Sequence, residues 1–80
     1  MTFIVTGEAD QLNRLKDDLV SNGYTQSSEY NNADDFIEIW VIEKEFDFWP
    51  MMVLKKNEFN RLIELTPDNY DEIINKILQQ

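Results

Sequence analysis

Carboxylates are the only abundant side chains here that can run acid–base chemistry or hold a metal ion: sixteen Asp and Glu stand against seven Lys and Arg, with no His and no Cys. Without thiols or imidazoles, the chain has no thiolate nucleophile, iron–sulfur ligand set, zinc finger or disulfide, and it lacks the commonest general base. Paired carboxylates can perform acid and base steps without histidine, as in glycosidases, but only in a cleft that drives one pKa upward. Asp17 with Asp18 and Asp34 with Asp35 are sequence neighbours. Their side chains diverge on a helix or strand, so they read as solvated surface. Asn31, Asn32, Asp34 and Asp35 offer hard oxygen ligands in one loop, yet the central glycine and closing glutamate of a calcium loop are missing. Gly7 and Gly23 are isolated rather than grouped as a phosphate cradle, and Ser21, Ser27 and Ser28 have no base to activate them. No catalytic, cofactor-binding or metal-ligating residue is assigned, and a non-enzymatic protein is expected.

What remains is the charge itself. A net charge of −9 and a pI near 4.2 repel phosphate backbones and anionic lipid, because nucleic-acid affinity comes largely from Lys and Arg displacing counterions. Neither direct nucleic-acid binding nor membrane binding is expected. Residues 34–47 hold six acids against the single Lys44, a net charge of −5 in fourteen residues. Within that stretch Glu43, Glu45 and Asp47 alternate with Lys44, Phe46 and Phe48. On a strand the three acids would share one face at intervals of about 6.6–6.8 Å, a spacing that resembles phosphates along a nucleic-acid strand. Phe48, Trp49, Met51 and Met52 follow, either as core or as a hydrophobic hot spot with an acidic rim. The plain reading is a hairpin with an apolar face in the core and an acidic face in water. The sharper reading is a docking surface for a basic protein, with Glu43, Glu45 and Asp47 as electrostatic contacts and Trp49 as anchor.

Eighty residues support one domain, 1–80, with a single modest core that buries roughly 60% of the unfolded surface. Ten aromatic residues and a hydrophobic fraction of 42% argue for a folded chain despite the charge. Residues 2–6 are rich in β-branched side chains and stop at Gly7, predicting a first strand and a turn. Ala9, Leu12, Leu15 and Leu19, with Val20 beside them, predict a helix over 8–22 that is ended by Gly23. Residues 24–30 read as a partly polar edge strand, 31–35 as a turn, and 36–42 as a central strand. The alternation over 43–48 predicts another strand or hairpin arm. Pro50 marks a break, after which 51–54 resume as a strand, 55–58 turn, and 59–65 form the last strand. Thr66 as N-cap, Pro67 at the first helical position, and Tyr70, Ile73, Ile74, Ile77 and Leu78 on one stripe predict a C-terminal helix. The expected fold is α+β: a mainly antiparallel sheet of four to five strands with two helices packed on one face, in the order strand, helix, strands, helix. No apolar run approaches the roughly 20 residues of a membrane helix, and no secretory signal is evident. A cytoplasmic location is expected.

The strand and helix ending in Asn22-Gly23-Tyr24, and the closing Leu65-Thr66-Pro67-x-x-Tyr70-x-x-Ile73, resemble the layout of small α+β proteins encoded by bacteriophages and prophages. The two motifs span about a fifth of the chain, and the resemblance transfers no functional residue. It implies a phage or mobile-element origin and a small modulator or inhibitor of host machinery. Beside a module that docks on a basic, nucleic-acid-handling protein stand two further readings: an antitoxin or immunity-type protein, and a homodimeric accessory protein.

Overall fold

The computed structural model describes residues 1–28 and 35–80. Five strands form one sheet: β1 (Thr2–Thr6), β2 (Thr25–Gln26), β3 (Phe36–Trp40), β4 (Glu45–Trp49) and β5 (Leu62–Glu64), with α1 (Ala9–Ser21) after β1 and α2 (Tyr70–Leu78) after β5. The spatial order is β2-β4-β3-β1-β5. β3 pairs antiparallel with both β1 and β4, while β1 with β5 and β2 with β4 are parallel. The sheet is therefore mixed, which corrects the expectation of a mainly antiparallel one. β3 is central and β2 lies at an edge, as their apolar and polar compositions predict. The portion of the predicted second strand beyond Ser28 lies outside the described residues, as do Asn31, Asn32 and Asp34.

Alternation along the strands sorts the side chains onto two faces. Phe3 and Val5 of β1, Ile37 and Ile39 of β3, and Phe46 and Phe48 of β4 point to the inner face. There they meet Leu12, Leu15 and Leu19 of α1 and Tyr70, Ile73, Ile74 and Ile77 of α2. Both helices thus lie on the inner face, and their three-and-four spacing supplies one buried stripe each. Val20 falls off that stripe and stays exposed. The end of α1 is a Schellman arrangement: the Tyr24 amide reaches the Leu19 carbonyl at 3.0 Å and the Gly23 amide the Val20 carbonyl at 3.1 Å. Gly23 sits at φ +90°, a conformation that glycine adopts without strain. Before α2, Thr66 and Asn69 cap one another, the Thr66 hydroxyl accepting the Asn69 amide at 3.2 Å and the Asn69 side chain accepting the Thr66 amide at 2.7 Å. Residues 67–69 form a turn, so the regular helix begins at Tyr70 rather than at Pro67. Tyr70 ties the helices together: its hydroxyl donates to Asp18 at 2.7 Å and the Arg14 guanidinium lies 3.9 Å from its ring centre. Burial and this hydrogen bond push the phenol's pKa well up.

Between β4 and β5 the chain departs from the predicted strands. Met51–Val53 and Lys56–Arg61 are 3-10 turns, and only Leu62–Glu64 is strand. The apolar residues Met51 and Leu54 are three apart, which suits a helical turn, and they close over Ile4, Phe36 and Leu62 in a small second cluster on the outer face. No described helix is long and apolar enough to cross a membrane.

Candidate functional site

The outer face of the β3–β4 hairpin carries three of the four charged residues in the described strands, Glu38, Glu45 and Asp47. Register places Trp40 opposite Glu45, Glu38 opposite Asp47, and Phe36 opposite Trp49. By alternation all six share the face turned away from the helices. Two carboxylates directly opposed across a ladder repel one another. The Glu38 pKa is raised chiefly by burial and then by the charge of Glu58, with Asp47 adding the smallest push, while Arg61 and the Trp49 side chain pull it down. The Arg61 guanidinium also donates to the Thr2 carbonyl at 2.9 Å.

The four residues singled out from sequence do not act as one row. Glu43 is exposed in the turn at 41–44, where Lys44 takes a left-handed conformation at φ 56°, so β4 starts only at Glu45. Glu45 is exposed on the outer face. Asp47 is on the same face but only 7% exposed. It accepts the Ser28 hydroxyl at 2.7 Å and the Phe48 amide at 3.0 Å. The phosphate-like ladder of three exposed acids is therefore absent: one acid has left the strand and another is a structural acceptor. Trp49, at the end of β4, is about one-third exposed (36%). Trp49 borders a groove of about 320 Å³ with Phe36, Glu38, Val53, Lys55 and Glu58. Here the fold gathers what the sequence kept apart, because the 3-10 turns bring Val53 and Glu58 over the sheet beside Glu38. Glu38 interrupts an apolar strand and shares its parity with Phe36 and Trp40. That parity is the one signal that could have marked it as an outer-face residue; Glu58 lies in a polar turn with no signal at all.

A larger depression, about 470 Å³, lies where β1 and β5 end and α1 begins, lined by Thr6, Gly7, Gln11, Leu65, Thr66 and Pro67 with the acids Glu8, Asp10 and Glu64. Gly7 allows a close approach there, since a β-carbon would sit tightly against the Leu65 β-carbon at 3.2 Å and its carbonyl oxygen at 3.3 Å. A helix start usually favours an anion. Three carboxylates surround this one, and the Asp10 side chain already accepts the Gln11 amide at 3.0 Å, so an anion is disfavoured. Among the described residues no three Asp or Glu side chains come together to hold a metal ion.

No family model, curated protein or solved structure matches the chain.

Proposed function

We propose that this protein is a small, non-enzymatic, cytoplasmic binding module that docks on a basic protein through the outer face of the β3–β4 hairpin. The observation that carries the reading is that Glu38 and the exposed Glu45 share one face with Trp40 and Trp49, beside the buried Asp47. Like charges set opposite one another work against folding, whereas a cationic surface laid over them gains electrostatic attraction and aromatic contact at once. With the chain's net charge of −9, approach of a basic partner is steered and approach of nucleic acid is opposed. Nucleic-acid-handling proteins are the basic proteins whose clefts such a surface fits, and a phage or mobile-element modulator of one of them is the biology we infer.

The test is affinity capture from the native cell followed by titration of the recovered basic protein. Affinity should fall at least about tenfold between 50 and 200 mM salt if several charge contacts form. It should fall further when Glu38, Glu43 and Glu45 together become glutamine, with Asp47 left intact because it holds the fold. Binding that ignores both salt and these substitutions overturns the proposal.

A further inference from the structure

We propose that the groove beside Trp49 is a receptor for an arginine side chain of the basic partner; this rests on the docking reading above and adds the residue that the partner must present. The groove runs between the outer face and the two 3-10 turns, with Phe36, Trp49 and Val53 as apolar walls and the carboxylates of Glu38 and Glu58 along it. Glu58 is held in place, its carboxylate accepting the Lys55 amide at 2.9 Å. A guanidinium matches this combination. Its flat face packs on an indole while its edge donors reach carboxylates, and its weak hydration makes entry cheap. A lysine ammonium, a compact and strongly hydrated point charge, gains less from the apolar walls.

Charge complementarity selects this occupant over a second copy of the chain, whose own net charge is −9. The groove's own lining points the same way, with the two carboxylates of Glu38 and Glu58 against the single ammonium of Lys55. The turns that form the outer wall also expose Met52 (89%), Val53 (50%) and Phe59 (52%). Apolar residues next to the partner's arginine can rest there.

The test is a titration of the full chain, labelled with ¹⁵N, with two capped tripeptides at low salt, Arg-Leu-Arg and Lys-Leu-Lys, following the two tryptophan indole resonances. The arginine peptide should shift the Trp49 indole saturably, and the lysine peptide should bind at least about fivefold more weakly. Glu58→Gln and Glu38→Gln should each weaken the arginine peptide about fivefold, while Glu45→Gln, on the same face but outside the groove, should change it less than about twofold. Equal affinity for the two peptides, or an unmoved Trp49 resonance, overturns the arginine receptor. That failure is separate from failure of the docking reading: if the groove fails while a basic protein still binds with steep salt dependence through Glu45, the acidic face stands without it.

Discussion

The two faces of the sheet follow different rules. On the inner face every strand position named above is apolar, and six side chains from β1, β3 and β4 meet two leucine- and isoleucine-bearing helix stripes with no charge among them. On the outer face, one residue along in each strand, Glu38 opposes Asp47 and Trp40 opposes Glu45. Exclusion of water accounts fully for the first arrangement. It does not account for the second, where like charges are opposed and an indole is left partly in water. The inner face is what folding requires, and on the outer face the Ile4–Phe36–Leu54 cluster and Asp47 also serve the fold, whereas Glu38 is a group that folding alone would replace. That contrast is the reason for placing function on the outer one.

Substitutions can break or sharpen this contrast. Phe46→Ala, which truncates a fully buried ring at the centre of the inner face, should cost about 3–5 kcal/mol in urea unfolding. A loss below about 1 kcal/mol would show that the inner face is not the core. Within the outer face itself, Asp47→Ala should cost about 1–2 kcal/mol, because the Ser28 hydroxyl and the Phe48 amide lose their acceptor. Glu45→Ala, at an exposed position, should stay within about 0.5 kcal/mol. Equal effects of these two would erase the distinction between a structural and a free acid on that face. Tyr70→Phe removes the hydroxyl that bonds Asp18 across the helices and should lower stability by about 1 kcal/mol, read as a shift in the urea midpoint at unchanged slope.

Most of the inner face was legible in the sequence, and for a physical reason. Period-two alternation in β1, β3 and β4, the leucine spacing of α1 and the isoleucine spacing of α2 all report burial on one side. Gly23 signalled the end of α1 through the conformation only glycine takes freely. The parallel pairings were hidden because β2 has two residues and β5 three, too few for side-chain pattern to carry register, so backbone bonds decide it. Residues 51–54 misled because a four-residue apolar run fits a strand or a helical turn equally, and the demand to cover Ile4 and Phe36 chose the turn. The candidate site was legible only in part. Trp49 and Glu45 sit where alternation puts them. Glu43 was lost to a turn that bends at Lys44, a residue with no preference for positive φ, and Asp47 was claimed by Ser28, nineteen positions away. Glu38 and Glu58 meet only through tertiary structure.

The central claim is that the outer-face carboxylate of Glu38 is kept at the expense of stability. Its folded pKa is raised, so between the unfolded and folded values the native state holds more protons than the unfolded one. Stability is therefore lost as pH rises through that window, and the ionised carboxylate is a burden at neutral pH. Urea unfolding of Glu38→Gln beside the natural sequence at pH 7 should show the variant more stable by roughly 0.2–1 kcal/mol, the scale of a like-charge cross-strand pair, with the gain shrinking as pH falls toward 4. A variant less stable at pH 7 would contradict the account, because Glu38 would then serve the fold through Trp49 and Arg61, and the outer face would need no partner to explain it.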